Sequence, residues 1–191
     1  MTPTTPNSEV LIRIQDTPNP NAWKFVVDRP VLLEGKATYS TPEEAYGNRL
    51  ALDLLSLPGV KQVHFFENVI TLTARFDVEP EDIQRDACAV IQTRMPVHDP
   101  SFGVKESKKA SREHLSPELQ QIEEILDRTI RPGLQSDGGD IEVVKFESNQ
   151  LHVVYQGACG TCPSSTTGTL MAIEGILRDE FNPAIEVIPV N

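Results

Sequence analysis

Cysteine is scarce in this chain, with three among 191 residues. An odd and small number excludes a disulfide scaffold and points to a reducing compartment, most simply the cytoplasm. Basic residues are short as well. There are 17 Lys and Arg against 28 Asp and Glu, a formal net charge of −11. An acidic surface repels phosphate, so neither nucleic acid nor an anionic membrane is an expected partner. No apolar run approaches the ~20 residues that a membrane helix needs. Met1 to Val10 hold no basic segment followed by an apolar one, so no signal or transit peptide is expected. Paired carboxylates, a serine with nucleophile partners and a glycine-rich phosphate loop are all missing, so the chain does not read as an enzyme. His64, His98, His114 and His152 lack i, i+3 or i, i+4 pairing and read as surface or sheet residues rather than ligands.

What is present suffices for real cores, since 39% of the residues are hydrophobic. The length suits one or two small domains. Val10–Ile14 and Trp23–Val27 read as strands, separated by a turn-rich DTPNPN segment in which two prolines exclude helix. Glu34-Gly35-Lys36 is turn-prone. Thr41-Pro42-Glu43-Glu44 predicts a helix start with a capping box, continuing through Tyr46, Leu50, Leu54 and Leu57 to Pro58-Gly59. Two β-like runs follow, Val60–Phe66 and Val69–Phe76, with Glu67-Asn68 as their turn. A helix from about Pro80, with Ile83, Ala87, Val90 and Ile91 on its face, should end before Pro96. Periodicity then stops over 97–115, which reads as a flexible linker. Charge is uneven across this division, with a net of −4 in 1–96, +1 in 97–115 and −8 in 116–191. Ser116-Pro117 opens a helix ending at Pro132-Gly133, and Ser136–Asp140 reads as a tight turn. A hairpin spans 141–155, a helix carries Leu170, Ile173, Ile176 and Leu177, and a final strand covers 185–188. The expected fold is α+β, with two small domains, each a mixed or antiparallel sheet with two helices, at 1–96 and 116–191.

Two of the three cysteines, Cys159 and Cys162, stand two residues apart in GACGTCP, between a strand pattern and a helix pattern. Backbone N–H groups and the positive end of the helix dipole would face the sulfurs, favouring thiolate and an anionic ligand. Three readings stay open on spacing alone. The pair supplies two of the roughly four donors a metal cluster wants, so a second copy of the loop across a twofold axis would complete a bridged iron–sulfur site. It could instead be a thiol–disulfide exchanger, although the setting is not thioredoxin-like βαβ. It could also be half of a structural zinc site. Cys88 lies on a helical face in the other half and reads as a small buried hydrophobe. Gly157 and Gly160 flank the first cysteine; each alone reads as ordinary turn chemistry, and together they would also let the backbone approach a bulky ligand.

Residues 130–140, IRPGLQSDGGD, and 156–165, QGACGTCPSS, resemble the C-terminal domain of the NifU family. DTPNPNAWKF at 16–25, with RPVL at 29–32, resembles the domain preceding it in Nfu-type proteins. The resemblance implies an iron–sulfur cluster scaffold or carrier. In it Cys159 and Cys162 hold a labile cluster between two protomers of a homodimer, usually 4Fe–4S with 2Fe–2S as the smaller option. It implies delivery of that cluster to apo iron–sulfur proteins, and receipt from upstream cluster-assembly proteins. The N-terminal domain is assigned partner recognition. A carrier must release its cargo, so the site is expected near the surface.

Overall fold

The computed structural model describes residues 9–102, 115–159 and 163–190, with backbone only for 163–166. In the first half, β1 (Ile12–Asp16), β2 (Ala22–Val27), β3 (Lys36–Tyr39), β4 (Val60–Phe66) and β5 (Val69–Ala74) form an antiparallel sheet in the order β1-β2-β5-β4-β3. Helices α1 (Arg49–Leu55) and α2 (Pro80–Arg94) complete it. The period-2 alternation of the strands gives the sheet two different faces. Trp23, Phe25, Val63, Phe65, Ile70 and Leu72 point to a core shared with Leu50, Leu54, Ile83, Ala87 and Ile91. Many of the intervening residues are polar, although Val26, Phe66 and Val69 lie on the same face. Lys24 pairs with Thr71, Thr71 with His64, and His64 with Thr38, a polar row across four strands. His64, Thr71 and Thr73 are nonetheless buried.

The second half has a smaller sheet. Strands β6 (Gly139–Glu147) and β7 (Gln150–Gly157) form a hairpin, and β8 (Glu186–Pro189) joins β7 in parallel. Positive φ at Ser148 and Asn149 makes the hairpin turn. Helices α3 (Pro117–Thr129), α4 (Arg131–Ser136) and α5 (Pro163–Glu180) accompany it. Ile122, Leu126, Ile141, Leu151, Val153, Ile173 and Leu177 make the second core. The α+β class expected from the sequence is the one observed.

Several elements differ in detail. The capping box at Thr41 forms, with the Glu44 carboxylate accepting from the Ser40 and Thr41 N–H groups and Thr41 Oγ1 accepting from Glu44 N–H. It closes only a turn. Gly47, at φ +94°, breaks the chain, and Asn48 becomes the true N-cap, its Oδ1 accepting from Ala51 N–H at 3.1 Å. Tyr46, expected on the helix face, is exposed, and Ala45 is buried in its place. Strand β3 escaped sequence reading because four residues at a sheet edge carry little periodicity. Pro132 does not end a helix but sits in the first turn of α4, where its missing N–H is no loss.

Packing of the first half runs past the expected boundary at 96. His98 Nε2 lies 2.7 Å from Val31 O, Leu33 N–H donates to Pro100 O, and Phe102 stacks edge-on against Phe65 and His98. Most of the expected linker, residues 103–114, lies outside the described residues.

Replacing the true cap should destabilise the first half more than replacing the apparent one. Asn48→Ala is expected to lose ~1 kcal/mol, and Thr41→Ala no more than about 0.5 kcal/mol, by urea denaturation.

Candidate functional site

Strand β7 delivers the chain to Gly157, and α5 begins at Pro163, so Cys159 stands on the strand-to-helix connection expected for it. Cys162, with Gly160 and Thr161, lies outside the described residues. Gly157 has φ +64°, and a Cβ there would come within 2.4 Å of Gly138 O. Its ladder partner, Gly139, lies so close to the thiol that a Cβ would stand 2.4 Å from Cys159 Sγ. Glycine at both positions lets the DGG segment and the cysteine loop touch. Ala158 N–H donates to Gly138 O at 3.1 Å and fixes that contact.

Cys159 is buried, 8% exposed, within the second core. This departs from the expected surface position. Tyr155 is packed in the same core, and its phenol is pushed upward, first by burial and then by the Cys159 sulfur. Its hydroxyl has no hydrogen-bond partner among the described residues.

Beneath the loop lies an ion network that sequence reading missed. Asp140 is fully buried. Its Oδ2 is 3.2 Å from Lys36 Nζ and accepts from Gln135 Nε2, and its Oδ1 is 3.5 Å from Arg131 Nε and accepts from Ile141 N–H. Burial would raise this carboxyl, but Lys36, the Ile141 N–H, Gln135 and Arg131 together hold it below the usual range. Burial pulls Lys36 down despite Asp140 opposing it. Arg131 also binds Glu123 at 2.7 Å and Asp127 at 2.6 Å, tying α4 to α3.

The polar face of the first sheet covers the loop. Asn19 Nδ2 donates to Ala158 O at 2.9 Å. Gln62 Oε1 accepts from Gly157 N–H at 2.7 Å, and Thr73 Oγ1 donates to Gly157 O at 3.4 Å. Lys36 Nζ donates to Ile141 O at 3.0 Å, and Lys24 Nζ to Ser136 O at 2.5 Å. His64 Cδ2 would lie 3.2 Å from a Cβ at Gly157. Its Nδ1 bonds Thr38 Oγ1 at 2.8 Å, while Nε2 has no hydrogen-bond partner among the described residues. Burial lowers its pKa to about 4, with Asp140 opposing and Lys36 adding to the shift.

The remaining candidates stay apart. Cys88 is half-buried on α2 against the first core, and burial raises its thiol. His98 caps Val31 O, His152 is a strand residue, and His114 lies outside the described residues. Among the described residues no three His, Cys, Asp or Glu side chains converge to hold a metal.

Residues 122–188 match the NifU-like domain family, and residues 12–98 match the family described as scaffold protein Nfu/NifU N terminal. The chain belongs to the NifU family. It is 32% identical to NifU-like protein 4, mitochondrial, of Arabidopsis thaliana, over 88% of this chain and 62% of that one. It is equally identical to the NFU1 iron-sulfur cluster scaffold homolog, mitochondrial, of Homo sapiens, over 88% of this chain and 67% of that one. The match thus spans about two thirds or less of these relatives' length. The solution structure of a NifU-like protein from Saccharomyces cerevisiae superposes with a TM-score of 0.46 at 18% identity, over 56% of this chain and 94% of that one. The expectation of a cytoplasmic NifU-family member is overturned by these relatives, which are named as mitochondrial. Scarce cysteine reports a reducing medium, and the cytoplasm is not the only one. No helix among the described residues is long and apolar enough to cross a membrane.

Two outcomes follow from this packing. Gly139→Ala should destabilise the second half by roughly 1–3 kcal/mol, because its methyl group collides with Cys159 Sγ; thermal unfolding checks this. The His64 ring is neutral when folded and takes a proton only near pH 4, whereas the unfolded ring does so near 6.5. The unfolded state therefore binds more protons between those values, and stability falls as pH drops through that window. His64→Gln should flatten the decline in urea midpoint from pH 6.5 to 4.5. The Asp140 contribution is lost only at lower pH, below its ordinary 3.8.

Proposed function

We propose that this chain is an iron–sulfur cluster scaffold or carrier rather than an enzyme. What carries the reading is Cys159 on the loop between β7 and α5, in a chain whose two halves both match the family. Cys159 and Cys162 are the proposed ligands, and the cluster is cargo. Each chain offers two thiolates there, and a cubane needs about four. A 4Fe–4S cluster bridged by two copies related by a twofold axis satisfies that count, and a 2Fe–2S cluster would do so as well. The N-terminal end of α5 favours the thiolate form and the negative charge of a thiolate-bound cluster. The relative from Homo sapiens is named as a cluster scaffold, and the same role is proposed here, with loading by upstream assembly proteins and delivery to apo iron–sulfur proteins. The first half is proposed to recognise those partners.

Because the cluster joins two chains, its binding energy is linked to association, and the loaded protein should dimerise more strongly than the empty one. Anaerobic reconstitution with iron and sulfide, followed by absorption, iron count and sedimentation at low micromolar concentration, tests this. Cys159→Ala or Cys162→Ala should each abolish both colour and the cluster-dependent dimer, while Cys88→Ala leaves both intact. A loaded protein that stays monomeric with a full cluster per chain would overturn the bridging. A colourless product with thiol-exchange activity would favour a dithiol oxidoreductase.

A further inference from the structure

The first sheet spends its second face on the cysteine loop. Lys24, Lys36, Gln62, His64, Thr71 and Thr73 come from four strands, and the groups they cover belong to residues 136–141 and 157–158. Together with Asn19 they engage the N–H and C=O of Gly157 and the C=O of Ala158, the two residues immediately before Cys159. Approach is close enough that a Cβ on Gly138 would lie 2.7 Å from Lys24 Cγ.

The chemistry of this contact differs from that of the two cores. Each core is apolar and would be ruined by water. The face between them is built from lysine, glutamine, threonine, histidine and asparagine, with one ion pair, Lys36 to Asp140, and water can satisfy each of those groups when the halves separate. Contacts between units of one chain that are polar in this way favour relative motion over permanent union. The fit is also incomplete, because His64 Nε2 has no hydrogen-bond partner among the described residues and regains one in water.

A cluster shared by two copies requires the cysteine loops of both to face one another, with no other surface lying over the peptides that carry the thiols. We infer that the polar face of the first sheet is a latch, holding the Cys159 loop closed in the empty chain and lifting from it when two copies take up a cluster. The inference rests on the scaffold reading for its consequence, but the latch itself can be tested without any cluster.

The empty full-length chain is treated with iodoacetamide, and alkylation at Cys159 and Cys88 is timed by tandem mass spectrometry. Cys88 lies on α2, on the other side of the first sheet, and serves as the control for general loosening. Losing two latch hydrogen bonds in Asn19→Ala/Gln62→Ala should speed Cys159 alkylation by roughly tenfold or more, with Cys88 unchanged. Unchanged Cys159 rates, or equal acceleration at both cysteines, would overturn the latch. Hydrogen exchange on the unsubstituted chain supplies a second reading. The Gly157 amide, at the end of β7, should be protected in the empty form and lose protection on reconstitution, while the rest of β6 and β7 keep theirs. A Gly157 amide that exchanges freely when empty, or stays equally protected with cluster bound, would also overturn it. Failure to take up iron and sulfide would count against the scaffold reading alone, since alkylation decides the latch independently.

Discussion

A buried carboxylate sets the terms for this structure. Asp140 has no solvent exposure, and an ionised group survives there only with opposite charge and hydrogen bonds beside it. Lys36 reaches it from an edge strand of the first sheet, Arg131 from α4, and Gln135 from the same helix. Removing one member of such a buried set typically costs about 3–5 kcal/mol, so three separate elements are held to one point. Arg131 extends the constraint to Glu123 and Asp127 on α3. The helix hairpin, the start of β6 and the first sheet therefore take their positions from a single charge.

Immediately beyond Asp140 the constraint becomes steric. Gly138, Gly139 and Gly157 let two stretches of backbone pass where side chains would collide with Lys24, Cys159 Sγ or Gly138 O. The motif SDGGD thus has two functions joined in five residues: its last aspartate anchors charge, and its glycines admit the thiol and the covering sheet. The cysteine loop is consequently shaped from both sides, by the second core below it and by polar side chains above.

Much of this was legible in the residues. The hairpins at Glu67-Asn68 and Ser148-Asn149, the α2 and α5 faces, and the position of Cys159 between strand and helix all follow from local periodicity and turn chemistry. Where local signals compete, reading fails. Thr41 and Glu44 satisfy every rule of a capping box, yet a glycine three residues on ends the turn and Asn48 starts the helix. The alternating polar residues of β4 and β5 mark a second sheet face, but nothing nearby says that it is covered, because the partners of Thr73 and Gln62 lie 84 and 95 positions away.

By itself the sequence determined the α+β class, the two apolar cores, the spacing of the two thiolates and the charge that disfavours nucleic acid, since each depends on composition or on neighbours within a few residues. Only the tertiary structure decided that Asp140 is an anchor rather than a turn residue, that His64 is buried beside the loop, and that Cys159 lies covered rather than open. Those outcomes depend on which distant polar groups meet. Desolvation and pairing act only once the chain has brought both partners out of water.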